Sequence, residues 1–271
     1  MSENELVKPA AGQLAVPDYL KVADDHSLDT IKEYVRPPRI KVIQGMSDAK
    51  LKDAFGVGVT VLIPDNIVIM DVARDEKGNV LVGNTVPFAF TPLFFFAEFC
   101  LWNPMSMKGK LPPIRERSFD PNSQIAARAR DFKNRYVPCP EDPGEDCVYC
   151  EHLNFIVHVH SHNEPCILTF SRGEFKAGQS FAALAKMRGV PLYGNIFHAN
   201  LATRKNDKGE WYGLDISNPS GGASPFVGEE AFQGYRILHE QYAELYASRK
   251  IEVNYEDEPI DAVVSDAADT M

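Results

Sequence analysis

The 271-residue sequence lacks any uninterrupted apolar run long enough to span a bilayer. Its longest apolar stretch, Val86 to Trp102, is broken by Pro87, Thr91, Pro92 and Glu98, whereas a membrane helix needs about 20 consecutive apolar residues. The stretch therefore reads as the core of a soluble domain, with no membrane partner expected. The first thirty residues carry Glu3, Glu5, Asp18, Asp24 and Asp25 and no apolar block, which argues against a secretory leader and for a cytoplasmic location. Also missing are the G-x-x-x-x-G-K-[ST] phosphate loop, G-x-G-x-x-G after a strand and the G-x-S-x-G elbow. Gly56-Val57-Gly58 lacks the rest of a dinucleotide fingerprint. With no nucleophile marked, a non-enzymatic role is expected. No repeat of about 20 to 50 residues recurs, which disfavours solenoids and propellers.

What is present fits an ordinary globular chain: 44% hydrophobic, 10% aromatic and 24% charged residues, which excludes a wholly disordered or fibrous protein. Short apolar runs split by turn formers predict strands over Arg39 to Ile43, Val57 to Ile63, Asn66 to Arg74, Val80 to Val82, Asn154 to Val159, Cys166 to Phe170, Ile196 to Ala202 and Glu210 to Ile216. Lys77-Gly78-Asn79 and Asn206-Asp207-Lys208-Gly209 read as hairpin turns. Helices are expected over Ala177 to Arg188 and Gly228 to Arg249. In the second, Phe232, Tyr235, Leu238, Tyr242, Leu245 and Tyr246 keep one face apolar. The expected class is mainly β: a small barrel or sandwich with insertions and one or two packing helices.

Charge is unevenly spread. The net charge of -10 includes seven acids and no base from Ile251 onward, leaving 28 bases against 31 acids, a net of -3, over the first 250 residues. Pro104 to Tyr136 holds eight bases against three acids, and Arg172 to Lys208 seven against two. Interleaved bases and rings suit single-strand binding, in which cations track phosphates and flat rings stack on bases. The candidate DNA contacts are Lys108, Lys110, Arg115, Arg117, Arg128, Arg130, Lys133 and Arg135, with Phe119, Tyr136, Tyr193 and Trp211 as rings. The Phe94-Phe95-Phe96 cluster is assigned to the core.

Cysteine usage points away from disulfides: there are five, and Cys139, Cys147 and Cys150 crowd into twelve residues. Thiolates spaced Cys139-x7-Cys147-x2-Cys150, with His152 as the nearby imidazole, suit a closed structural zinc site. Cys166 or His158 are alternatives for the fourth ligand. The intervening Pro140 to Asp146 contains no apolar residue and turns readily, so a metal would organise it. A second cluster, His158-x-His160-x-His162 with Glu164, loosely matches a cupin metal motif if His198 completes it.

Together the β-rich body, the cysteine knuckle, the segment Gly178 to Trp211 with its Lys-Gly hairpin and the acidic C-terminus resemble bacteriophage single-stranded-DNA-binding proteins of the zinc-containing OB-fold type. The resemblance implies an OB-fold-like five-stranded barrel over 37–226 with a zinc loop at 136–155. A mobile arm at 1–36, a C-terminal helix at 227–250 and a disordered acidic tail at 251–271 would flank it. It implies Cys139, Cys147 and Cys150 as ligands to structural Zn2+. It further implies non-sequence-specific coating of single-stranded DNA during replication, recombination and repair, in the host cytoplasm if phage-encoded. The tail would recruit polymerase, helicase or primase, and the protein could self-associate on DNA. The alternatives are a cupin-like metalloenzyme using His158, His160, Glu164 and His198, or a non-catalytic virion or scaffold protein braced by zinc.

Overall fold

The computed structural model describes residues 36–207 and 209–255. The expected arm over residues 1–35, Lys208 of the second hairpin turn and residues 256–271 of the expected tail lie outside the described residues. The chain is mainly β. Ten strands form one sheet: β1 (Arg39–Val42), β2 (Thr60–Ile63), β3 (Ile67–Met70), β4 (Phe88–Trp102), β5 (Ile114–Ser118), β6 (Tyr136–Cys139), β7 (Asp142–Val159), β8 (Pro165–Ser171), β9 (Phe197–Asn206) and β10 (Gly209–Ser217). Their order is β10-β9-β4-β7-β8-β1-β2-β3, with β5 added to β4 and β6 to β7, and the sheet curls into a half-barrel. This replaces the expected five strands with ten, because the apolar run Phe88–Trp102 and the segment Asp142–Val159 each extend as one long strand and pair antiparallel along their length.

Four α-helices accompany the sheet among the described residues: α1 (Ala49–Phe55), α2 (Gln124–Arg130), α3 (Phe175–Met187) and α4 (Glu229–Ala247). Helix α3 buries Gly178, Phe181 and Ala185. A Cβ at Gly178 would come within 2.5 Å of the Phe170 side chain, so the absence of a side chain lets the helix lie close on the sheet. Phe181 meets Phe90, Phe155, Phe170 and Phe197 in one ring cluster, centroids 4.5 to 6.2 Å apart, the tilted and edge-on spacing that aromatic pairs favour. This is the main core, and β1, β2, β3, β8, β9 and β10 all contribute to it.

The opposite face of β4 and β7 is covered by α4, whose Tyr235, Leu238, Tyr242, Leu245 and Tyr246 pack on Leu93, Phe96, Cys100, Trp102 and Ile156. The apolar face expected for this helix is the one that packs. Beyond it, Ile251, Val253 and Tyr255 are buried in the same cluster, which corrects the expected start of the tail at 251. Their period of two places three apolar side chains inward while Glu252 faces out to pair with Arg36 at 2.7 Å. Tyr255 donates to Glu98 at 2.7 Å, Asn154 donates to the same carboxylate at 3.2 Å, and Arg117 pairs with it at 2.7 Å. Burial pushes the Glu98 carboxyl up, while Arg117, Tyr255 and Asn154 pull it back.

No helix among the described residues is long and apolar enough to cross a membrane.

Candidate nucleic-acid interface

A groove of about 850 Å³ opens on the α3 side of the sheet, over β4 and β7, between α2 and the β9–β10 hairpin. Its cations are Arg130, Arg135, Arg172, Lys176 and Lys205, and its one carboxylate is Glu151, a net of four positive charges. Its rings are Phe95, Phe132, Phe175 and Trp211. Two of these are notably open for phenylalanine: Phe95 is 40% and Phe132 50% exposed.

Phe95 corrects its assignment to the core. Residues 94, 95 and 96 alternate across a strand, so Phe94 and Phe96 join the α4 face and Phe95 must point the other way. There it lies against its cross-strand partner Phe155, centroids 4.9 Å apart, leaving its other side to the groove.

Trp211 is fixed by its surroundings. Its indole N–H donates to Glu174 at 3.0 Å, and Arg204 contacts both oxygens of that carboxylate at 3.3 Å. Two glycines make this possible by close approach. A Cβ at Gly173 would lie 2.8 Å from the indole ring, and one at Gly213 2.2 Å from the Glu174 oxygens. Burial raises the Glu174 carboxyl, with Arg204 and Trp211 opposing.

Arg130 reaches the groove from the end of α2, a helix started by Ser123, whose hydroxyl accepts from Ala126 N–H at 3.1 Å, and seated on Phe99 by the buried Ala126 and Ala129. Its guanidinium stacks 4.7 Å over Phe99, donates to Pro121 O at 3.0 Å and turns its remaining edge to Glu151. Arg135 stacks on Phe132 and Tyr136 at 5.3 and 5.4 Å. Arg172, in the left-handed region at φ 49°, lies 5.0 Å over the Trp102 ring.

Of the sequence-predicted DNA contacts, Arg130, Arg135 and Trp211 line this groove. Arg128 and Lys133 are exposed nearby in sequence, and Lys108 and Lys110 are exposed in the β4–β5 connection. Tyr136 sits under Arg135. The others are occupied structurally. Arg117 holds Glu98 and donates to Val253 O at 3.0 Å, and Arg115 pairs with Glu141 and Asn103. Phe119 packs with Phe96 and Tyr246, and Tyr193 with Phe232 and His239. The residues missed were Phe95, Phe132, Arg172, Lys176 and Lys205. The signal for Phe95 was strand parity, and for the last three the second basic stretch, Arg172 to Lys208.

The expected zinc ligands divide between the two faces of β7. Cys139 and Cys147 share one small buried cluster with Leu101, and burial together with the adjacent Cys139 thiol pushes Cys147 up to about 11. Cys150, three residues on, falls on the other face opposite its cross-strand partner Cys100. His152 follows it there, accepting at Nε2 from the Trp102 indole at 3.0 Å. The four side chains therefore do not converge, and among the described residues no three His, Cys, Asp or Glu side chains are arranged to hold an ion. Cys166 is buried in the main core, its thiol pushed up to about 12 by burial.

The histidines of the cupin-like alternative are engaged by neighbours. His158 Nδ1 lies 2.9 Å from the Tyr235 hydroxyl and His160 Nε2 3.0 Å from that of Thr91. The two rings are 6.0 Å apart, and Glu164 is exposed. Burial holds both imidazoles below the usual histidine range, helped by the neighbouring His160 and His162 charges at His158 and by His198 at His160.

Comparison with curated proteins finds no match, and comparison with solved structures finds none. Residues 72–242, more than half of the chain and the whole span from Phe95 to Trp211 that forms the groove, match the family model described as Pam3 phage gp34-like protein, and the chain belongs to that family.

Proposed function

We propose that this protein binds single-stranded DNA without sequence preference, through the groove over β4 and β7. The observation that carries the reading is the pairing of two open rings, Phe95 and Phe132, with five cations around one carboxylate. Stacked bases contribute about 1–3 kcal/mol each and phosphate contacts a salt-dependent share. Duplex DNA offers no unstacked base to such rings, so single strands are the preferred form. The family is a phage family, and in a phage protein such binding would serve DNA replication, recombination or repair. In that role the acidic residues beyond Tyr255 compete for the groove and recruit basic surfaces of replication proteins. Zinc enters the reading only through Cys139 and Cys147, the two thiols that share one cluster.

Titrating fluorescent oligo-dT against the full-length chain tests the proposal. Binding at low salt that weakens as salt rises is expected. Absence of binding at low ionic strength defeats it and leaves a non-catalytic virion or scaffold role.

A further inference from the structure

Resting on the groove reading, we propose that Glu151 is a built-in competitor for phosphate at Arg130, which keeps binding at this groove reversible.

The geometry of Arg130 has two parts. One edge of the guanidinium is held: it stacks over Phe99 at 4.7 Å, and Nη1 donates to Pro121 O at 3.0 Å. The other edge, Nε and Nη2, faces Glu151 with both contacts at 3.4 Å. That is the two-pronged arrangement a guanidinium offers to a carboxylate or a phosphate, drawn out beyond the 2.7–2.9 Å of a well-formed charged pair. The Arg117–Glu98 pair, at 2.7 Å with its carboxylate fully buried, shows what a fixed structural ion pair looks like in this same protein.

Position favours exchange. The Arg130 side chain is 48% exposed while that of Glu151 is 16% exposed, so solvent and phosphate reach the cation of the pair, and its half-exposed side weakens the attraction. Among the described residues Glu151 is the only acid lining the groove. A phosphate oxygen arriving at the free side meets a guanidinium already oriented by Phe99 and Pro121 O, and needs only to displace a loosely held carboxylate.

Counterion accounting gives this a signature. In the wild-type chain, forming the Arg130–phosphate contact leaves Glu151 to recover a cation, so the contact adds almost nothing to the salt slope. Without the carboxylate it adds about 0.7 to the log K against log salt slope for a single strand.

The test is oligo-dT binding across a salt series. Glu151→Gln is expected to tighten binding about 5-fold near 0.1 M salt, the worth of one exposed ion pair, and to steepen the slope by about 0.7. Glu151→Asp, which keeps the charge, should restore wild-type affinity and slope. Adding Arg130→Gln to Glu151→Gln should return the slope to the wild-type value. If Glu151→Gln changes neither affinity nor slope while Phe95→Ala still weakens binding, the competitor role is overturned and the groove stands. If neither Phe95→Ala nor Phe132→Ala weakens binding, the groove reading itself fails and this inference with it.

Discussion

The side-chain amide of Gln44 hydrogen-bonds the backbone of Tyr212 in both directions, donating Nε2 to its carbonyl at 2.6 Å and accepting from its N–H at 3.0 Å. Gln44 follows β1, while Tyr212 lies on β10, the strand at the opposite end of the sheet order. One side chain thus satisfies backbone groups on an edge strand that would otherwise meet only solvent, and it ties the curled sheet back towards itself. Gln44→Ala removes both of these bonds and a third, from Nε2 to Val42 O at 3.3 Å, each of roughly 1 kcal/mol, so a fall in melting temperature of about 6–12 °C is expected for a domain of this size. Differential scanning calorimetry measures it, and an unchanged transition would show the tie to be idle.

The rings of the groove are separable from the fold. Phe95→Ala and Phe132→Ala should each weaken oligo-dT binding by roughly 5- to 150-fold, the worth of one stacked base, with melting changed little because both rings are already open to solvent. Lys176→Ala and Lys205→Ala, on the exposed rim, should instead reduce the salt slope by about 0.7 each. Fluorescence anisotropy at several salt concentrations separates the two classes.

The C-terminal segment divides at Tyr255. Deleting 256–271 is expected to leave melting unchanged and to tighten oligo-dT binding several-fold, as removal of an acidic competitor requires. Deleting 251–271 also removes the buried Ile251, Val253 and Tyr255 and should lower the melting temperature by ten degrees or more, at about 2–4 °C per kcal/mol. Tyr255→Phe, which removes the hydroxyl that meets Glu98 at 2.7 Å and Asn154 Oδ1 at 3.5 Å, should fall between them at about 1.5–3 kcal/mol.

His158 predicts a pH dependence of stability. Its folded form favours the neutral imidazole because of burial and of the His160 and His162 charges. Its contribution is therefore complete above the ordinary histidine value near 6.5 and is lost as pH falls through the lowered folded value. Thermal melts from pH 7.5 to 5 should show declining stability, flattened by His158→Asn. Glu98 has the opposite sign, since its raised carboxyl favours the folded state below the usual carboxylate range and loses that contribution as pH rises through the raised folded value. A decline that persists unchanged in His158→Asn assigns the effect elsewhere.

Metal analysis of the purified chain settles the cysteines. Zinc, where the purified chain carries it, should be lost in Cys139→Ser and Cys147→Ser and retained in Cys150→Ser, as the shared Cys139–Cys147 cluster and the opposite-facing Cys150 require. Loss in Cys150→Ser alone would reverse that assignment.

Much of the architecture could be read from residue patterns. The β-branched run at Thr60–Ile63, the antiparallel pairing of β9 with β10 from Asn206 and Gly209 onward, and the apolar stripe of α4 behave as local chemistry dictates. Long-range pairing was not legible. Pro143 and Gly144 signal a turn, yet they stand within β7, in the register shift between the Pro138–Asp146 and Cys139–Asp142 pairs that β6 makes with it. Spacing also misled at the cysteines: x2 brings two thiols together on a knuckle but sends them to opposite faces of a strand. The groove was half legible. Its cations showed in the charge count, but which arginines are spent on Glu98 or Glu141 depends on contacts between distant strands.

The stacking of Arg172 over Trp102 has one more implication. The edge of that indole meets Tyr255 at 5.3 Å, so a single ring separates a groove-lining cation from a buried residue of the C-terminal segment. A phosphate that draws the Arg172 guanidinium away strips one wall from the indole. Whatever competes for that guanidinium therefore also bears on the packing of Tyr255.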